Sequence, residues 1–168
     1  LDAVRFSDRV GGNLKGGPMF SCTKSRSGNV YALCGSPVTY REATTAAARI
    51  TTSLQAPIPR IVVIDFRDAR VYSPDVQAKL VGAVHVAVEP AMRGEFTLVV
   101  LMNVTSSLGG ELWEKLRDVW IPSNPRRIRR FTHSNVTFDE MVEGVALGYD
   151  RAWLLERFER LPAAPALG

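Results

Sequence analysis

Ile61-Val62-Val63-Ile64-Asp65-Phe66 and, a few residues on, Ser73-Pro74-Asp75-Val76 decide how this chain reads. The first stretch is short, almost continuously apolar and rich in β-branched residues. Such a run fits a strand covered on both faces, as in a parallel sheet. The second opens a helix: Ser73 at the N-cap, Pro74 in the first turn, and Asp75 at the positive end of the helix dipole. Val76, Leu80, Val84 and Val88 follow as a buried stripe, and Pro90 and Gly94 are expected to close the helix.

The same alternation extends in both directions. Upstream, Met19–Thr23 and Asn29–Cys34 flank the turn Ser25-Arg26-Ser27-Gly28 and read as a hairpin. That turn places Cys22 opposite Tyr31, so a Cys22–Cys34 disulfide is disfavoured. Thr39 and Glu42 form a capping box before a helix carrying Ala43, Ala46, Ile50 and Leu54. Downstream, Phe96–Met102 is a second buried strand, followed by a helix with Leu112, Leu116, Val119 and Trp120 on one face. Ile128–Phe131 is a short basic strand. Thr137 and Glu140 open a long helix, expected over 138–161, whose apolar stripe shifts near its end. That shift is read as a second contact surface, as is an exposed Trp113.

The predicted order is β-β-α-β-α-β-α-β-α. It describes an α/β domain with a mostly parallel central sheet and an antiparallel N-terminal hairpin. The expected organisation is an extension over 1–18, one domain over 19–161 and a flexible tail over 162–168.

Composition agrees with one ordered domain. The chain has 168 residues, 46% hydrophobic and 23% charged, and a mean hydropathy near zero. No apolar run is long enough for a membrane helix. The net charge is +4, with 17 Arg against 4 Lys. The thiols fit a reducing compartment, the cytoplasm or an organelle matrix. The Arg-rich balance and a first residue other than Met are compatible with an imported organellar protein, mitochondrial for example, whose leader is removed.

Candidate chemistry is sparse. Asp65 and Asp68 stand at the carboxyl end of a central strand, where open α/β sheets bind ligands. The alternative reading makes Asp65 a strand end and Asp68 a turn residue. There is no glycine-rich dinucleotide turn, Walker A lysine or Gly-x-Ser-x-Gly elbow, and Cys22, Cys34, His85 and His133 lack zinc-site spacing. No cofactor or metal is expected, and His85 is read as a partly buried structural residue. Arg126, Arg127, Arg129 and Arg130 form the densest charge run and read as a basic docking patch. Its partner is an acidic protein or, less favoured, nucleic acid or anionic lipid. The remaining alternative is a charged edge that deters aggregation.

Over about residues 20–150, the element order, the hairpin ending at Cys34-Gly35 and the strand-turn-helix step at 61–80 resemble the STAS domain. That family includes anti-sigma-factor antagonists and sulfate-transporter tails. The resemblance implies a protein-interaction role and a phospho-switch in the turn after the central strand. The family turn usually reads Asp-Ser-Ser-Gly. Here it is Ser73-Pro74-Asp75-Val76, so Asp75 falls on the phosphoserine position and supplies about one fixed negative charge. The resemblance therefore implies a degenerate switch at Ser73, Pro74 and Asp75. The expectation is a non-catalytic interaction domain, a regulator or an accessory subunit of a larger assembly. A phospho-regulated antagonist or transporter-type regulatory domain is the first alternative.

Overall fold

A computed structural model describes residues 20–36, 38–71, 73–120, 127–132 and 136–159. The expected extension over 1–18, the tail over 162–168, Arg126 and His133 lie outside them. The strands are β1 (Phe20–Lys24), β2 (Val30–Cys34), β3 (Ile61–Asp65), β4 (Thr97–Met102) and β5 (Ile128–Thr132). The helices are α1 (Tyr40–Ser53), α2 (Pro74–Met92), α3 (Ser107–Lys115), α4 (Phe138–Val142) and α5 (Asp150–Glu159).

The strands lie in the sequential order β1-β2-β3-β4-β5. The pair β1–β2 is antiparallel and every later pair is parallel, which is the expected α/β architecture. Crossovers of one hand in a sequentially ordered sheet place their helices on one face. Accordingly α1, α2 and α3 cover the face formed by Ala32, Val62, Ile64, Leu98, Val100 and Met102. Alternate residues of the same strands, including Tyr31, Ile61, Val63, Val99 and Leu101, face α4 and α5. Because both faces are covered, β3 and β4 are buried along their whole length.

Local signals set most of these boundaries. Thr39 and Glu42 make the reciprocal capping box of α1. Ser73 Oγ accepts from the Asp75 and Val76 amides and starts α2. Ser106 Oγ caps α3 through Gly109 N–H at 2.9 Å.

Four expectations are corrected. The hairpin register pairs Cys22 with Ala32 and Thr23 with Tyr31, one residue from the predicted pairing. Gly28, at φ 104°, adds a turn residue: its N–H donates to Ser25 O, and Ser25 N–H donates to Asn29 O. This is the bulged form of the turn, and it displaces the register by one. Pro90 lies inside the last turn of α2 rather than ending it, and the helix runs to Met92. The helix after β4 widens into a π-helical turn over Leu116–Trp120.

The long helix over 138–161 is instead two, α4 and α5. Gly144 and Gly148 adopt φ of 77° and 58°, a left-handed backbone that interrupts a helix. The shift in apolar stripe marks this change of direction. Tyr149 is fully exposed in the link.

Candidate functional site

The carboxyl end of β3 is closed by the chain itself. Asp65 is fully buried on the face covered by α5. Tyr31 Oη donates to Asp65 Oδ2 at 2.5 Å. Arg67 grips the same carboxylate with two nitrogens, Nε to Oδ1 at 3.1 Å and Nη2 to Oδ2 at 2.9 Å. The Arg67 main-chain N–H adds a bond to Oδ1 at 3.0 Å. Arg67 Nη2 also donates to Phe158 O at 2.8 Å, and the guanidinium lies 4.4 Å from the Phe158 ring centre. The cluster is therefore a latch tying the end of α5 to the end of β3.

Its electrostatics favour one protonation state. Burial opposes charge on Arg67, but the hydrogen bond and charge of Asp65 outweigh it and hold the guanidinium above its usual range. Burial, followed by the adjacent Asp65 charge, pushes the Tyr31 phenol upward, so it stays a donor. The arrangement can hold a charge pair in place. With both Asp65 oxygens bonded, it offers no free carboxylate to a ligand.

Asp68 does not join Asp65. It sits partly exposed in the turn after β3, where Ala69 N–H donates to Phe66 O at 3.1 Å. Among the described residues, no group of three or more His, Cys, Asp or Glu side chains is placed to hold a metal ion.

A second anchor, at the other end of α5, was not anticipated from the sequence. Asp150 is buried and accepts from Ser25 Oγ at 2.5 Å and Asn29 Nδ2 at 2.7 Å. Asn29 Oδ1 in turn accepts the main-chain N–H groups of Arg60 and Ile61. One carboxylate thus ties the start of α5 to the β1–β2 turn and, through Asn29, to the start of β3. Nothing local marks Asp150 for burial, because its partners lie far away in sequence.

Arg129 and Arg130 of the basic strand lie on opposite faces of the sheet. Successive side chains of a strand point to opposite faces. Arg129 turns to α4 and donates to Met141 O at 3.0 Å and Glu143 O at 2.7 Å, capping that helix. Arg130 turns to α3 and donates to Trp113 O at 2.6 Å, its guanidinium 3.7 Å from the Trp113 ring centre. Trp113 is accordingly half-buried under Arg130. Arg127 lies just before the strand, at the sheet's opposite end from Asp65.

Ser73, Pro74 and Asp75 form an ordinary capped start to α2, with Asp75 exposed in its first turn. Ser73 and Pro74 border a cleft of about 210 Å³ with Val71, Gln77 and Ser107. His85 is exposed on α2, where a partly buried position was expected. Cys22 and Cys34 are both free thiols. Burial, then the charges of Glu42 and Asp65, push Cys34 up to about 12. Among the described residues, no helix is long and apolar enough to cross a membrane. No protein family, curated protein or solved structure matches the chain.

Proposed function

We propose that this chain is a non-catalytic protein–protein interaction domain, a regulator or accessory subunit of a larger assembly, built in the manner of a STAS domain. The observation that carries the reading is the Asp65–Arg67 latch. The strand end where an open α/β sheet would bind a small ligand is closed at β3 by Arg67 and the end of α5. A buried pair of this kind positions an element of the fold, and disrupting it leaves a charge without a partner. Arg129 and Arg130 likewise bond to the chain's own carbonyls, which weakens the case for nucleic-acid or lipid binding through the basic run. The free thiols fit a reducing compartment.

The test is to isolate the native protein and measure mass and composition by light scattering and mass spectrometry. The reading expects a partner protein at fixed stoichiometry. A lone monomer stabilised by a nucleotide or metal, with the effect lost in Asp65→Asn, would sink it. Intact-mass measurement on the same material addresses the phospho-switch alternative, which requires a phosphate at Ser73 or a neighbouring hydroxyl.

A further inference from the structure

At the end where the parallel strands begin, two arginine side chains have no partner among the described residues. Arg60 directly precedes β3 and Arg127 directly precedes β5, with β4 starting between them. Thr97 N–H donates to Arg60 O at 3.0 Å, and Leu98 N–H donates to Arg127 O at 2.6 Å. Their main chains are therefore held on either side of β4, Arg127 level with Ile61 and Arg60 one residue before it, about 10 Å apart at two strand spacings.

Both side chains line one cleft of about 340 Å³, whose walls include Glu95, Thr97, Gly144 and Val145. Neither guanidinium has a hydrogen-bond or ion-pair partner among the described residues. The Glu95 carboxylate is engaged by Arg93 at 3.0 Å. Arg129 stands close enough for the charges to interact. Burial first pulls its guanidinium below the usual range, Glu143 opposes this, and the Arg127 charge adds to the lowering. The cleft thus carries two arginines with no carboxylate bonded to either among the described residues.

Two exposed apolar side chains follow or precede lining residues in the chain: Tyr149, fully exposed, comes three residues after Ala146, and Ile58, half-exposed, comes two before Arg60. Arginine with an exposed aromatic is the composition enriched at the centres of protein interfaces. A nucleic acid draws affinity from many phosphate contacts along a track, whereas this is a compact spot with two arginines in its lining.

We infer that the strand-start cleft docks an acidic segment of a protein partner, whose carboxylates pair with Arg60 and Arg127 while an apolar side chain packs on Tyr149. This rests on the interaction-domain reading and names where and with what chemistry it operates.

The experiment uses the full chain and a short fluorescent peptide rich in Glu and Asp that carries a Leu and a Phe, read by anisotropy. Binding is expected to weaken as salt rises, to fall about tenfold or more in Arg60→Glu/Arg127→Glu, and to fall several-fold in Tyr149→Ala. It is expected to be unchanged in Arg41→Glu, an exposed site on α1, with every variant keeping the parent's urea midpoint. The site is overturned by no binding, by full binding in the double reversal, or by equal loss in Arg41→Glu. It is also overturned by displacement of the peptide by millimolar inorganic phosphate, which marks a free-anion site, or by tighter binding of an oligonucleotide. If the native complex persists with Arg60→Glu/Arg127→Glu, this site falls and the interaction-domain reading stands. If no native complex exists at all, that reading falls first.

Discussion

The two ends of the sheet use arginine in opposite ways. At the carboxyl end of β3, Arg67 is buried, bonded to Asp65 through two nitrogens and stacked on Phe158. At the strand starts, Arg60 and Arg127 keep their main chains in the sheet, and their guanidiniums line a cleft with no partner among the described residues. A desolvated charge needs a partner from its own chain. A solvated one can wait for a partner from outside. The contrast teaches that charge density along the sequence does not say which arginines the fold engages, since it bonds some and leaves others without a partner among the described residues.

The largest effect that would break this contrast is removal of half the latch. Asp65→Ala leaves Arg67 and the Tyr31 hydroxyl without their buried partner, and should cost about 3–5 kcal/mol in urea unfolding. Replacing both members, Asp65→Leu with Arg67→Met, should recover much of that loss, because a buried pair adds little beyond an apolar pair of similar volume. A double variant as unstable as Asp65→Ala would mean that the latch does more than satisfy its own charges.

Asp150→Ala comes next. It removes the acceptor of Ser25 and Asn29, and about 2–3 kcal/mol should be lost. Hydrogen exchange should rise at the start of α5 and in the β1–β2 turn before it rises in β3 or β4.

Alkaline titration gives a smaller, graded effect. Cys34 and Tyr31 are both pushed up in the folded state. Above the ordinary thiol range, the unfolded chain therefore releases protons that the folded chain still holds. Stability attributable to Cys34 is fully present below pH 9, the ordinary thiol value, and declines toward pH 12, where the folded thiol titrates. The slope should approach about 1.4 kcal/mol per pH unit for one group. Cys34→Ala should flatten the Cys34 contribution to the decline in urea midpoint between pH 9 and pH 11.

The smallest effect is at the other end of the sheet. Arg60→Ala and Arg127→Ala should each change the urea midpoint by less than about 0.5 kcal/mol equivalent. A larger loss would place them with Arg67 as structural residues and erase the contrast.

Much of the fold was legible because its signals are local. The apolar run at β3, the Ser73-Pro74 helix start and the Thr39–Glu42 box each act within a few residues, and each was found where it was expected. The break between α4 and α5 was misread because Gly144 and Gly148 carry their meaning only through a left-handed backbone, which an otherwise helical pattern masks. The hairpin register was missed by one residue because Gly28 adds a bulge that composition does not display. The basic run was read as one patch although strand alternation already divides Arg129 from Arg130. Their separate roles emerged once α3 and α4 supplied carbonyls on opposite faces.

The sequence by itself determined the alternation of strands and helices, their caps and the pairing of a hairpin with a parallel sheet. Periodicity and capping are properties of neighbouring residues, so no distant contact is needed to set them. Only the tertiary structure decided which polar groups are engaged. Asp65 meets Tyr31 and Arg67, Asp150 meets Ser25 and Asn29, and Arg60 and Arg127 meet no partner among the described residues. Those outcomes follow from which groups folding removes from water, and burial is set by how the sheet and helices pack.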